Sequence, residues 1–361
     1  MPRSRDRVRP AVTRGRRGDG GAAGGSVRET KGRESMTTIL KAPFPWFGGK
    51  SKAAPLIWQR LGNVPNYVEP FAGSLAVLLN RPHDPHTETV NDLDSYLANF
   101  WRALSLDPMA LAAACDWPVN EADLHARHEW LLRQADFRAR MHSDPDYYDV
   151  KIAGWWVWGI CQWIGSGWCS ADYYDDNRQA SQKLPHLGDD GRGVHRPSQQ
   201  RPHLGNDGMG VHRATNDDLY SYFAHLSARL RRVRVCCGDW SRVLGPTPTT
   251  KLGLTGVLLD PPYSAEADRD GSLYGVDDLS VAHDVREWAI EHGDDPLMRI
   301  ALCGYDGEHA MPDSWKRVEW KARGGYGSQG DGRGRDNSTR EVIWFSRHCI
   351  NVSSPTQRSL F

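Results

Sequence analysis

The chain alternates short apolar runs with longer segments in which apolar residues recur at helical spacing. A continuous apolar run at residues 256–259 predicts a buried strand, and residues 88–93 predict another. Residues 67–79 predict a short strand, a turn of small residues and the start of an apolar helix. Strands that alternate with helices are typical of a parallel sheet with helices on both faces. We therefore expect an α/β fold with a twisted, mostly parallel sheet.

The middle of the chain has a helical pattern from residue 95 to about residue 141. Farther on, residues 155–169 hold five of the 15 tryptophans. Four apolar side chains in and just before this segment fall at helical spacing: Ile152, Trp156, Ile160 and Trp163. We expect most of these side chains to fill a hydrophobic core.

Composition limits the class of protein. With 361 residues and 39% hydrophobic content, the chain is long enough for a sizeable core. No apolar run reaches the ~18 residues that a membrane span requires, so we expect a soluble, cytoplasmic protein without membrane contact. The seven cysteines show no C-x-x-C pair, which indicates neither a disulfide framework nor a zinc site, and no metal is predicted.

Four residues directly after the predicted strand at 256–259 combine an acid, two prolines and an aromatic ring: Asp260, Pro261, Pro262 and Tyr263. Prolines have no N–H and hold the backbone extended, which leaves carbonyls free to accept hydrogen bonds. A carboxylate, free carbonyls and a ring together suit a flat base with an exocyclic amine. The alternative interpretation is a strand end followed by a surface turn.

Three upstream features fit a nucleotide-like cofactor. The small-residue turn within residues 67–79 leads into a helix N-terminus, and Gly73 lets the backbone approach a ligand. Asp92 ends the next predicted strand, where an acid commonly accepts hydrogen bonds from ribose hydroxyls. An aromatic pair, two glycines and a lysine lie upstream at residues 46–50.

In this order, four motifs resemble the Dam-type DNA adenine-N6 methyltransferases, particularly their phage and prophage relatives. The motifs are Trp-Phe-Gly-Gly-Lys at 46–50, Val-Glu-Pro-Phe-Ala-Gly-Ser at 68–74, Asn91-Asp92 and Asp-Pro-Pro-Tyr at 260–263. The resemblance covers roughly residues 42–110 and 233–347. Leu75 departs from it, because many members carry a second glycine at this position, and so Gly73 alone must provide the close approach.

The resemblance implies S-adenosylmethionine as cofactor and double-stranded DNA as partner, with no obligate protein partner evident. It also implies a Rossmann-like sheet with an inserted, largely helical target-recognition domain. Asp260, Pro261, Pro262 and Tyr263 would act on the target base. The residues expected at the cofactor are Trp46, Lys50, Glu69, Phe71, Gly73, Asp92, Asp239 and Asp260.

The resemblance and the composition divide the chain into five parts. Residues 1–35 form a basic segment, residues 36–115 and 233–347 the two parts of the catalytic domain, residues 116–232 the recognition insertion, and residues 348–361 a tail. The first segment carries nine Arg and one Lys against four acids. Two interpretations compete: a disordered arm that follows DNA phosphates, or a segment without a role upstream of a start at Met36. We favour the second.

Candidate DNA contacts lie in the predicted insertion. A twelve-residue segment at 185–196 recurs at 202–213 with ten identical positions, and each copy ends in an arginine, Arg196 or Arg213. These arginines are expected to contact phosphate or guanine, although a passive surface insertion is the alternative. Trp168, after a glycine-serine turn, would flank a displaced base. Four further arginines are expected to form the basic end of a helix: Arg229, Arg231, Arg232 and Arg234.

The expected reaction is direct methyl transfer to the N6 amine of an adenine flipped out of the duplex. Two alternatives remain open. One is a cytosine-N4 methyltransferase, because cytosine presents a similar amine. The other is a DNA-binding relative that has lost catalysis.

Overall fold

The computed structural model describes residues 40–46, 49–118, 120–144, 146–163, 168–169, 219–262, 281–320 and 341–352. Within them lies one seven-stranded sheet, in the order β3-β2-β1-β4-β5-β7-β6. The strands are β1 (Asn66–Glu69), β2 (Thr87–Asp92), β3 (Val233–Cys237), β4 (Thr255–Leu259), β5 (Met298–Tyr305), β6 (Lys316–Glu319) and β7 (Glu341–Phe345). Strands β1 to β5 pair in parallel, and β7 is antiparallel to both β5 and β6. The prediction of a mostly parallel α/β sheet is confirmed.

The described helices alternate with the strands in the first part of the chain and then follow one another. They are α1 (Ala54–Leu61), α2 (Ala76–Leu79), α3 (Ser95–Leu106), α4 (Pro108–Cys115), α5 (Glu121–Leu132), α6 (Phe137–Ser143), α7 (Val150–Ile160), α8 (Leu219–Leu230) and α9 (Val281–His292). Polar side chains set several helix starts, because they accept hydrogen bonds from otherwise unpaired N–H groups. Asp94 accepts from Tyr96 at the start of α3, and Asp149 accepts from Ile152 at the start of α7.

Two hydrophobic clusters cover the two faces of the sheet. Successive side chains of a strand point to opposite faces, and so Tyr67 enters one cluster while Val68 enters the other. The first cluster holds apolar residues of α1 to α8, and the second packs α9 against β4 and β5. Helices therefore cover both faces, as the alternation of elements predicts.

The described part of the predicted insertion is helical, but it does not have a core of its own. Trp156 of α7 packs within one hydrophobic cluster with Phe100 of α3 and Phe44. The ring centroid of Phe44 lies 5.3 Å from that of Trp156 and 5.4 Å from that of Phe100. The described helices of residues 116–232 thus pack onto the sheet as part of the main core, and the boundary at residue 115 is not a break in packing.

A buried ion cluster fastens α8 to the sheet. Glu88 of β2 accepts two hydrogen bonds from the guanidinium of Arg229, at 2.7 and 3.0 Å, and a third at 3.1 Å from Arg81. The helix ends at Leu230, and Arg229 points inward to Glu88. The expected basic helix end is therefore only partly correct, because Arg231 and Arg232 lie beyond the helix.

Several predictions fall outside the described residues: the segment 1–35, the duplicated segments with Arg196 and Arg213, and Tyr263. In the part of the chain that the structure describes, no helix is both long and apolar enough to cross a membrane.

Candidate active site

A pocket lies where the carboxyl ends of β1, β2, β3 and β4 meet. The chain reverses its direction of travel across the sheet between β1 and β4, and open α/β sheets bind ligands at such a switch point. The pocket encloses about 1090 Å³ of empty space, part of it open to solvent, which suits a nucleoside-sized ligand. It brings together every described residue predicted to hold the cofactor, and Pro262 as well: Trp46, Lys50, Glu69, Phe71, Gly73, Asp92, Asp239, Asp260 and Pro262.

The turn after β1 requires glycine at position 73. Gly73 has a φ of +47°, and a Cβ on it would lie 2.5 Å from the indole Nε1 of Trp46. Only a residue without a side chain permits this approach of the backbone to Trp46. Trp46 in turn lies 6.3 Å from Trp156, centroid to centroid, so the helical core supports one wall of the pocket.

Leu75 occupies a left-handed conformation, with a φ of 59°. This conformation costs an ordinary residue roughly 1 kcal/mol and costs glycine almost nothing. The Leu75 side chain is fully buried in the core. The departure of Leu75 from the resemblance therefore exchanges backbone freedom for core packing, and the close approach of Gly73 to a ligand stays a prediction.

Asp92 holds the same turn from the neighbouring strand. Its Oδ2 accepts from the N–H of Gly73 and its Oδ1 from the N–H of Asp94, both at 3.0 Å. Burial raises the pKa of Asp92 to about 6. Because a carboxylate offers about four acceptor positions, roughly two remain for a ligand.

Asn91 joins three strand ends, a role that the sequence motif alone did not assign. Its side-chain amide donates to the carbonyl of Pro70 after β1, at 3.1 Å, and to that of Gly238 after β3, at 2.9 Å. The backbone carbonyl of Asn91 accepts from Ala72 at 2.9 Å. This buried residue thus fixes the loops that form the floor of the pocket.

The loop after β3 contributes Asp239 and Trp240. Asp239 accepts hydrogen bonds from the backbone N–H and the hydroxyl of Ser241, and so it caps the short 3-10 helix Trp240–Val243. The ring of Trp240 stacks with that of Phe71, at 6.2 Å between centroids and 27° between planes. These two rings form an aromatic wall of the pocket.

Asp260 lies in a buried charged group at the end of β4. The Lys50 ammonium is 3.0 Å from Asp260 Oδ1 and 3.7 Å from Glu341 Oε2, and Lys50 is only 3% exposed. Burial raises the pKa of the Asp260 carboxyl, while Lys50 and the thiol of Cys303 oppose that rise. Lys50 thus favours the ionised form of Asp260, the form that accepts hydrogen bonds.

Glu69, at the end of β1, is a second buried carboxyl. It accepts a hydrogen bond from the Tyr67 hydroxyl at 3.0 Å. Burial raises the pKa of Glu69 to about 8, and the nearby Asp260 adds to that rise. At neutral pH Glu69 therefore retains its proton in the folded protein.

Because Glu69 keeps its proton in the folded protein, we expect the free energy of unfolding to depend on pH. The pKa of Glu69 rises from 4.5 to about 8 on folding, so its contribution to stability is complete below pH 4.5 and is lost as pH approaches 8. Glutamine resembles the protonated form at every pH. We expect Glu69→Gln and wild type to unfold alike near pH 5, and the variant to be more stable at pH 8 by on the order of 2 kcal/mol.

Urea unfolding at both pH values checks this result. Glu287→Gln, at an exposed glutamate of α9, is the control for the loss of one negative charge. A difference between Glu69→Gln and wild type that stays constant from pH 5 to pH 8 would show that Glu69 is ionised throughout.

Trp168 has a different environment from the one predicted. It is 9% exposed, its indole N–H donates to the carbonyl of Trp156 at 3.0 Å, and its ring stacks on His128 with centroids 4.9 Å apart. A Cβ on Gly159 would lie 2.0 Å from the Trp168 ring. This packing argues against a role for Trp168 beside a displaced base. Arg196, Arg213 and Tyr263 lie outside the described residues.

Residues 46–148 match the family model of the D12 class N6 adenine-specific DNA methyltransferases. The matched segment contains the predicted cofactor residues from Trp46 to Asp92 and continues through the first helices of the predicted insertion, whereas Asp239 and Asp260 lie beyond it. A comparison with curated proteins gives no significant match. The family match supports an adenine-specific DNA methyltransferase domain that includes residues 46–148.

Proposed function

We propose that the chain is an adenine-specific DNA methyltransferase of the D12 class, and that it transfers a methyl group from S-adenosylmethionine to the N6 amine of an adenine flipped out of duplex DNA. The supporting observation is that Asp260 shares one pocket with all the other residues predicted to hold the cofactor. The pocket lies at the strand ends where a nucleotide-like ligand is expected.

The charge of the pocket fits this cofactor. Five acidic residues line it, and among the described lining residues Lys50 is the one Lys or Arg. Glu69 retains its proton at neutral pH, so the negative charge comes from the other four acids, Asp92, Asp94, Asp239 and Asp260. A ligand with a sulfonium and an ammonium group is favoured in such surroundings. When bound, S-adenosylmethionine supplies an electrophilic methyl group.

We assign the residues that would bind each part of the cofactor from their contacts in the structure. Asp92 retains acceptor capacity for the ribose hydroxyls, and the turn at Gly73, which lines the pocket, would lie beneath the methionine part. The aromatic wall of Phe71 and Trp240 suits the flat adenine of the cofactor. Asp239 caps the helix that carries Trp240 and so orients that wall.

Asp260 would orient the target amine. The lone pair of this amine is delocalised into the base, which makes the nitrogen a weak nucleophile. Hydrogen bonds from its two N–H groups to Asp260 and to the carbonyl of Pro261 favour a geometry in which the lone pair faces the methyl group. No covalent bond between enzyme and substrate is needed.

The target amine is inaccessible inside a duplex. The base must therefore leave the stack, at a cost of a few kcal/mol. Stacking on Tyr263 would offset part of that cost, by ~1–3 kcal/mol. Arg196 and Arg213 would contact the duplex outside the pocket.

The proposal is tested by incubating the full-length protein with tritium-labelled S-adenosylmethionine and genomic DNA that carries no methylated bases. Incorporation of label into the DNA is expected. Calorimetry in the absence of DNA is expected to detect cofactor binding. The absence of both signals would contradict the proposal.

The ribose contact gives a sharper prediction. Asp92→Ala should weaken cofactor binding by about 1.5–3 kcal/mol, the contribution of a hydrogen bond to a charged group. Because the pKa of Asp92 is about 6, wild-type affinity should also fall as pH drops below that value, while the affinity of the variant stays level.

Asp92→Asn separates two roles of this side chain, since asparagine retains one acceptor for the turn at Gly73. We expect an intermediate affinity for Asp92→Asn. Equal calorimetric affinities of wild type and Asp92→Ala would remove Asp92 from the cofactor site.

A further inference from the structure

We propose that Glu341 is a positioning residue for methyl transfer: it holds the Lys50 ammonium between two carboxylates and so keeps Asp260 available to the target amine. This inference rests on the proposed function and extends the catalytic machinery to the antiparallel strand β7.

Glu341 reaches the site from a distant part of the sequence. It is the first residue of β7 and pairs in register with Tyr305 of β5. Lys50 comes from the segment before α1, and Asp260 from the end of β4. Lys50 and Asp260 line the pocket, and Glu341 contacts Lys50 from outside the lining; Glu341 is 8% exposed and Lys50 is 3% exposed. Glu341 is not among the residues that line the pocket, so any effect on the reaction must pass through Lys50.

Burying the Glu341 carboxylate costs free energy of folding. Its Oε2 is buried and makes no hydrogen bond among the described residues, and the nearest cation is Lys50 at 3.7 Å. Other inward residues of the same strand, Ile343 and Phe345, are apolar and fully buried. Replacing a buried ion pair with apolar groups is often neutral or stabilising. Stability alone therefore does not account for a carboxylate at position 341.

Because Asp260 and Glu341 share the Lys50 ammonium, Asp260 remains a stronger hydrogen-bond acceptor than it would be in an ion pair with Lys50 alone. With Glu341 on its other side, Lys50 remains close to Asp260 without pairing with it alone. Without the Glu341 charge, Lys50 would move fully to Asp260, and that carboxylate would become a weaker acceptor for the amine. Other groups that act on Asp260 are Cys303 and Glu308. Glu69 is also close, because the charge of Asp260 raises its pKa.

Glu341→Gln in the full-length protein tests this role. The charge of Glu341 and that of Asp260 each disfavour ionisation of the other carboxyl. Removing one of them should lower the pKa of Asp260, so the acidic limb of the kcat profile should move to lower pH. We expect kcat at neutral pH to fall roughly tenfold, with the KM for S-adenosylmethionine changed less than about twofold.

Two further variants complete the design. Glu319→Gln makes the same substitution at an exposed glutamate on the neighbouring strand β6, and it should match wild type in kcat and in pH profile. Glu341→Asp keeps the charge at a shorter reach, and it should restore part of kcat and return the acidic limb to the wild-type position. Thermal unfolding is measured for each variant, and Glu341→Asp serves as the test if Glu341→Gln does not fold.

An unchanged kcat and an unchanged pH profile in Glu341→Gln would overturn the proposal. If Glu341→Gln does not fold and Glu341→Asp is the test, a kcat equal to that of wild type in Glu341→Asp would overturn it. A purely structural role is also distinguishable, because it would lower the unfolding temperature without moving the acidic limb. Wild-type protein without methyl transfer would instead contradict the proposed function itself.

Discussion

Replacing Asp260 with alanine is expected to abolish methyl transfer, with kcat lowered by roughly 10³-fold or more. The substitution removes the acceptor for the target amine and the nearest partner of the buried Lys50 ammonium. DNA binding should largely persist, because we expect most phosphate contacts to lie outside the pocket. Tritium-labelled methyl transfer and a DNA mobility shift, measured in parallel, check both parts of this result.

Two variants serve as controls for Asp260→Ala. Asp260→Asn retains the shape of the side chain but cannot provide two anionic acceptors, and it should remain severely impaired. Asp306→Ala removes an exposed carboxylate that pairs with Arg317, and it should retain wild-type activity. If Asp260→Ala keeps kcat within about tenfold of wild type, Asp260 is not the acceptor of the amine.

Replacing Glu88 with alanine is expected to lower the free energy of unfolding by about 3–5 kcal/mol. Two guanidinium groups, those of Arg81 and Arg229, would then lose the carboxylate that they share in the core. Arg229 also ties α8 to β2, so the loss should loosen the chain where it returns to the sheet. Urea unfolding followed by tryptophan fluorescence measures the effect.

An exposed ion pair gives the matched control. Glu129 of α5 pairs with Arg133, the residue directly after that helix, and both are more than half exposed. Glu129→Ala should change the free energy of unfolding by less than about 0.5 kcal/mol. Similar losses for Glu88→Ala and Glu129→Ala would contradict the view that the buried cluster fastens α8.

The sequence predicts the part of the site that depends on strand ends. Parallel strands bring their carboxyl ends to one edge of the sheet, so the acids that end β1 and β2 and the acid directly after β4 meet wherever those strands are adjacent. This geometry alone places Glu69, Asp92 and Asp260 together. The same rule does not reach Glu341, because it lies at the start of an antiparallel strand whose neighbours depend on the complete strand order.

Local pattern also cannot decide which way an individual side chain faces. The sequence around Trp168 is compatible with either an exposed or a buried indole, and the packing of its ring against Gly159 places Trp168 itself in the core. Arg229 looks like part of a basic surface until β2 supplies Glu88 as its partner. Both outcomes depend on contacts between segments that are distant along the chain.

The identity of the methylated base tests the central claim most directly. Genomic DNA without methylated bases is incubated with the protein and S-adenosylmethionine, digested to nucleosides and analysed by liquid chromatography and mass spectrometry. The account predicts N6-methyldeoxyadenosine as the product in the wild-type reaction and its absence with Asp260→Ala. N4-methyldeoxycytidine as the product, or cofactor binding without any methylated nucleoside, would contradict it.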